Sequence, residues 1–197
     1  MTHSAVILAA GLSTRMGRDK AMIEVAGESL LTRQIKLASA SGAAEVFISG
    51  SADVDYTGFD CPVLHDRFPG HGPLAGIERA LASIATTRLL VLAVDLPAMI
   101  CELLQRIGNV GPGDAGAIPR VNGRIEPLAA FYPKTAVLLA ESLLLAGNNS
   151  VAGFAERCVQ TGMARFADLP ATDAPHFINW NSPEDMSESR SGSTSPT

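Results

Sequence analysis

Apolar positions along the chain follow two rhythms. Short continuous runs occur at Ala5-Val-Ile-Leu-Ala-Ala10, Glu45-Val-Phe-Ile-Ser49, Pro62-Val-Leu-His65 and Arg88-Leu-Leu-Val-Leu-Ala-Val-Asp95. Runs of this length, bounded by turn residues, read as strands covered on both faces. Between them, residues 28–38, 74–85 and 99–107 carry apolar side chains at helical spacing, the first stopping at Gly42. Asn122-Gly123 lies between residues 115–120 and 124–131, a pattern that predicts a hairpin. Residues 133–146 predict a helix with Pro133 at its start and Gly147 at its end, and residues 150–159 a shorter one. Residues 176–181 predict a last strand. Strands alternating with helices, followed by a late hairpin, specify a three-layer, doubly wound α/β domain whose mainly parallel sheet carries an antiparallel hairpin addition. The domain is expected over residues 1–186, with the Ser-rich residues 187–197 as a disordered tail. In such a sheet, ligands bind beyond the carboxyl ends of the strands. The loops after Ala10, His65 and Asp95 should therefore share one rim.

Composition narrows the functional classes. The 197 residues are 47% hydrophobic and 18% charged, enough apolar surface for a folded body. A net charge of −5 argues against a general nucleic-acid surface, although a local cluster of donors can still hold phosphate. Cys61, Cys101 and Cys158 are widely spaced and odd in number, which suits a reducing compartment rather than a disulfide framework or a zinc site. Met1-Thr-His-Ser has no basic flank, and no apolar stretch approaches the ~20 residues of a membrane span. A soluble cytoplasmic protein is expected, binding neither membrane nor nucleic acid.

The candidate chemistry lies in the loops. Leu8-Ala-Ala-Gly-Leu-Ser-Thr-Arg-Met-Gly-Arg-Asp-Lys20 is glycine-rich and contains Arg15 and Lys20. Backbone N–H groups and mobile cations of this kind hold phosphates. Neither common phosphate-binding pattern fits: five residues separate Gly11 from Gly17, and Lys20 lies three past the second glycine. On composition alone, an ordinary strand-to-helix turn stays open. Asp95, at the end of the most apolar strand, is placed either to hold a hard cation or to cap the next helix. His65 and His71 lack a third metal ligand at suitable spacing and read as loop histidines. Glu126 falls just after the hairpin. Asn179 and Asn181 alternate, so a strand would present both amides on one face.

Taken together, the motif L-A-A-G-x-S-x-R-M-G-x-D-K resembles the signature loop of nucleotidyltransferases built on a Rossmann-like sheet. Within that group it is most similar to the molybdenum cofactor guanylyltransferase (MobA) family. Asp95 in Val94-Asp-Leu-Pro97, Gly72-Pro-Leu-Ala-Gly76 preceded by Asp66, Glu126-Pro-Leu128, and Asn179-x-Asn181-Ser-Pro-Glu-Asp185 follow in that family's order. The resemblance implies a nucleotide held by Leu8, Ala9, Ala10, Gly11, Arg15, Lys20, Asp66 and Asp95. Arg15, Lys20 and Asp95 would be catalytic, Asp95 binding Mg²⁺, and Glu126, Asn179 and Asn181 would lie toward the acceptor. It implies transfer of GMP from GTP to molybdenum-bound molybdopterin, with release of pyrophosphate and transient contact with cofactor-making proteins or molybdoenzymes. Ala10, where the family usually has glycine, points toward related cytidylyltransferases and makes CTP the alternative donor. Another phosphorylated acceptor, or a non-catalytic nucleotide-binding adaptor, are the remaining alternatives.

Overall fold

The computed structural model describes residues 2–10 and 20–180. Gly11, Arg15, Asn181 and the Ser-rich tail therefore lie outside the described residues. Ten strands are present among those described: β1 (His3–Leu8), β2 (Glu24–Val25), β3 (Glu28–Ser29), β4 (Ala43–Ser49), β5 (Val63–Leu64), β6 (Arg88–Ala93), β7 (Gly116–Val121), β8 (Arg124–Ile125), β9 (Ala129–Pro133) and β10 (Ala164–Leu169). The helices are α1 (Leu30–Ala40), α2 (Pro73–Ser83), α3 (Cys101–Gly108), α4 (Val137–Leu145) and α5 (Val151–Gln160).

The main sheet runs β10-β7-β9-β6-β1-β4-β5, with β8 paired to β7 and the β2–β3 hairpin apart. β1 pairs parallel with both β6 and β4, β4 with β5, and β7 with β10. Only β9 and β8 run against their neighbours. This is the expected mainly parallel, doubly wound architecture. From β1 the chain passes through β4 to β5 on one side and then begins again at β6 on the other. The strand order therefore reverses between β1 and β6.

Both faces of the central strands are covered, which explains their unbroken apolar sequence. Ala5 and Ile7 of β1 join Leu30, Leu31 and Ala38 of α1 and Leu103, Leu104 and Ile107 of α3. Val6 and Leu8 face the opposite way, toward Leu74, Ile77 and Leu81 of α2, Leu144 of α4 and Phe154 of α5. Helix α1 starts where Ser29 accepts a hydrogen bond from the Thr32 amide, and Ser150 caps α5 in the same way through Gly153. At the hairpin, Asn122 and Gly123 both have positive φ, the conformation that the Asn-Gly pair favours.

Three expectations are corrected. Residues 124–131 do not form one strand: Pro127 has no N–H to donate, and the Ala129 amide turns back to the Glu126 carbonyl, separating β8 from β9. The last strand is β10, not residues 176–181. β10 is an edge strand whose exposed Arg165 and Asp168 interrupt its apolar pattern, consistent with protection of an edge. Ala171–Phe177, containing Pro175, instead forms 3₁₀ turns. Asn179 consequently lies in an irregular, exposed stretch, and the strand alternation that would pair it with Asn181 is absent there. Among the described residues, no helix is long and apolar enough to cross a membrane.

Close packing at the start of β7 is a point of vulnerability. A Cβ on Gly116 would stand 2.6 Å from the Phe131 carbonyl oxygen and 2.9 Å from Ala164 Cβ. Because part of the obstruction is backbone, Gly116→Ala should lower stability by about 1–3 kcal/mol in urea unfolding. An unchanged midpoint would contradict the packing described.

Candidate functional site

The carboxyl ends of the parallel strands form the rim where the candidate residues meet. Leu8 is in register with Ala93 on one side and Ser49 on the other. Its carbonyl accepts from the Val94 amide at 3.2 Å, so the loops leaving β1 and β6 are bound to each other. The amides of Ala9 and Ala10 both donate to the Ser49 carbonyl at 2.9 Å. Ala9 is buried and Ala10 exposed. Any ligand contact these two residues make must therefore use carbonyls or van der Waals surface, their N–H groups being taken.

Lys20 and Asp95 come together across 75 positions of sequence. Lys20 opens a 3₁₀ turn, Lys20–Met22, and its Nζ donates to Asp95 Oδ2 at 2.9 Å. The two side chains are 18% and 21% exposed, partly shielded but open to a ligand. They sit at the reversal between β1 and β6, where a doubly wound sheet leaves a crevice. Asp95 is thus not simply a helix cap: α3 begins later, at Cys101, with Ile100 in the capping position.

Asp66 follows β5, three strands from β6, or about 14 Å along the rim at ordinary strand spacing. Burial raises its pKa above the usual carboxylate value, Glu78 adding to the rise and His65 opposing it. Its Oδ1 is buried without a hydrogen-bond partner. The loop around it is fixed by Arg67, whose guanidinium donates through Nε and Nη2 to the two oxygens of Glu78, fully buried on α2. Gly76, the last glycine of the G-P-L-A-G motif, serves close packing rather than phosphate contact: a Cβ there would lie 2.4 Å from Ser49 Oγ.

Glu126 stands on the other side of Asp95. The Ala93 amide donates to the Leu128 carbonyl at 2.8 Å, and the Tyr132 hydroxyl to the Pro127 carbonyl at 2.8 Å. Glu-Pro-Leu is thereby attached to the end of β6. Burial raises the Glu126 pKa, and Arg124, whose Nε lies 3.3 Å from Glu126 Oε1, pulls it down. Asn179 is exposed, but the next amide, Trp180, donates to the Asp95 carbonyl at 3.0 Å. Leu8, Ala9, Ala10, Lys20 and Asp95 thus meet at the ends of β1 and β6, the Asn179 stretch is joined to them through Trp180, Glu126 belongs to the segment tied to the end of β6, and Asp66 occupies the far end of the rim. Gly11, Arg15 and Asn181 are outside the described residues. The main-chain bond of Trp180 to Asp95 has no counterpart in the sequence pattern.

Among the described residues, no three His, Cys, Asp or Glu side chains gather closely enough to cage a metal. A single hard carboxylate beside a cation and an open crevice fits Mg²⁺, which is held by one or two carboxylates together with substrate phosphates.

The chain is similar to known proteins over most of its length. The MobA-like NTP transferase domain matches residues 5–160. A probable molybdenum cofactor guanylyltransferase of Opitutus terrae is 35% identical over 190 residues, covering 95% of this chain and 94% of that protein. The molybdenum cofactor guanylyltransferase of Rhodobacter capsulatus is 33% identical over 192 residues, covering 94% of each. In fold, the chain is similar to a nucleotidyl transferase from Methanothermobacter thermautotroptrophicus (TM-score 0.76, 19% identity, 95% of each chain). It is also similar to molybdopterin-guanine dinucleotide biosynthesis protein A from Archaeoglobus fulgidus (TM-score 0.70, 21% identity, covering 95% and 96%). The chain belongs to the MobA-like NTP transferase family.

Proposed function

We propose that this protein transfers GMP from GTP to the molybdenum-bound molybdopterin cofactor and releases pyrophosphate. The names of its relatives at 33–35% identity support this reading. The observation that carries it is the Lys20–Asp95 pair at the strand-order reversal.

The reaction requires little covalent chemistry from the protein. A phosphate oxygen of the acceptor, already anionic at neutral pH, attacks the α-phosphorus of GTP. The new P–O bond forms as the bond to the β-phosphate breaks, and the electron pair leaves with pyrophosphate. No general base is needed. The protein's tasks are to align two anions and to offset charge on the departing group. Lys20 and Arg15 supply positive charge, and Asp95 supplies the carboxylate for Mg²⁺. Mg²⁺, when bound, neutralises phosphate charge and polarises the α-phosphoryl group. Leu8, Ala9, Ala10 and Gly11 border the nucleotide, with Asp66 farther along the same side. Glu126, Asn179 and Asn181 face the acceptor. Ala10 keeps CTP as the second reading, because the related cytidylyltransferases carry Ala-Gly at this point.

In a transfer assay with GTP, Mg²⁺ and purified molybdenum cofactor, Lys20→Ala and Asp95→Ala should each lower turnover by ~10²-fold or more. Near-normal rates in both variants would sink the assignment. Thermal-shift measurements in Mg²⁺ should give a larger rise in Tm with GTP than with CTP; the reverse order would transfer the reading to CTP. Asp66 yields a prediction with a defined sign. Burial raises its pKa from the ordinary 3.8, so folding favours the protonated form and stability declines as pH rises through the folded-state value. Asp66→Asn should therefore be more stable than wild type at pH 7, by less than about 1 kcal/mol because water screens its open side. That gain should vanish in acid, while GTP affinity falls. Urea unfolding at several pH values tests this; a variant less stable at neutral pH would contradict it.

A further inference from the structure

The segment carrying Asp95 is gripped by its main chain as well as by Lys20. The Asp95 carbonyl accepts from the Trp180 amide, the Leu96 carbonyl accepts from Gln34 Nε2 at 2.8 Å, and the Ala98 carbonyl lies 2.6 Å from His176 Nδ1. A carbonyl can only accept, so Nδ1 carries the proton. These three donors come from α1, from the 3₁₀ turns after β10, and from the stretch beyond them. The Leu96 carbonyl also accepts from the Met99 amide at 3.1 Å, so no side-chain donor is needed to satisfy it.

The Gln34 contact is costly. The residue is 1% exposed and lies on the face of α1 that also buries Leu30, Leu31 and Ala38. Its Nε2 has a partner, but its Oε1 is buried with none. Burying an unpaired amide oxygen is unfavourable, and an apolar side chain would avoid that cost. A requirement on the position of the Leu96 carbonyl explains why glutamine stands there. The His176 contact has a firm support: buried Asp173 on the same 3₁₀ segment is paired with Arg106 of α3, and Phe177 is buried in the core.

We infer that Gln34 and His176 are positioning residues that fix residues 95–98 and thereby aim the Asp95 carboxylate. His176 also ties the acceptor-side stretch at Asn179 to the loop bearing the metal-binding carboxylate. The inference rests on the proposed role of Asp95.

The test compares His176→Phe, which removes the donor, with His176→Asn, whose amide nitrogen can take the place of Nδ1. Amide hydrogen exchange in a peptide spanning residues 94–101, measured on the nucleotide-free protein, should quicken in the Phe variant and return toward wild type in the Asn variant. In the transfer assay, His176→Phe should lose about tenfold in kcat with the KM for GTP nearly unchanged, and His176→Asn should recover most of the rate. Gln34→Met should reproduce the Phe variant's pattern; if it does not fold, the His176 pair decides. Unchanged exchange in His176→Phe, or equal behaviour of the Phe and Asn variants, would overturn the inference. If wild-type protein transfers no nucleotide to the cofactor, the functional reading falls, while the exchange comparison still decides whether His176 holds the loop.

Discussion

Burial of the central strands on both faces is the constraint from which the rest follows. β1 and β6 lie side by side between two helical layers, and every residue of each strand is buried. Polar chemistry has almost no place along such strands, so it collects where they end. The position of that chemistry is then set by topology. Among the described residues, parallel neighbours diverge into oppositely directed connections at the β1–β6 boundary, and Lys20 meets Asp95 there. The carbonyl of Leu8 and the amide of Val94 join the two loops at the same point. A site built on two adjacent strand ends inherits the rigidity of the sheet, which matters for a reaction that depends on alignment.

The electrostatics of the rim resolve an apparent conflict between an acidic protein and anionic substrates. A net charge of −5 is a sum over the whole surface, whereas phosphate recognition depends on charge within a few ångströms. At the crevice, each charge of the Lys20–Asp95 pair offsets the other until ligands arrive. Glu126, beside the end of β6, and Asp66, farther along the rim, are carboxylates whose burial disfavours ionisation. Groups held at a cost to stability are expected where function requires them, although structural ion-pair networks perturb carboxylates too. Here the Glu78–Arg67 pair has the structural role of fixing the Asp66 loop, while Asp66 Oδ1 is buried without a hydrogen-bond partner.

What the sequence made legible, and what it hid, divides along the same physical line. Side-chain burial leaves a periodic trace, so β1, β4, β6 and helices α1 and α2 could be read from their patterns. The Asn122-Gly123 turn could be read because its backbone conformation restricts which residues suit it. β10 was hidden because its exposed positions carry charge, as edge strands do. The break at Pro127 was missed because the flanking residues look equally strand-like; only the missing N–H of proline signalled it. Lys20 and Asp95 were legible as residues of a motif, but their contact was not. Gln34 and His176 act on main-chain carbonyls, which place no demand on the identity of residues 96 and 98. The one available trace was a polar residue on the apolar stripe of α1, easily taken for an ordinary interruption.

The carbonyl contacts also bear on how the two sides of the rim communicate. On the proposed reading, nucleotide and acceptor approach Asp95 from opposite sides, and neither side alone fixes the loop between them. Gln34 reaches Leu96 from α1, the helix between β1 and β4 on the nucleotide side. His176 and Trp180 reach Ala98 and Asp95 from the chain segment that also bears Asn179, on the acceptor side. The acceptor-side stretch is therefore joined to the main chain of residues 95–98 by two hydrogen bonds, without any ligand between them. The link follows from letting two substrate-facing segments share one short loop, whose Leu96 carbonyl is already met within the turn by the Met99 amide.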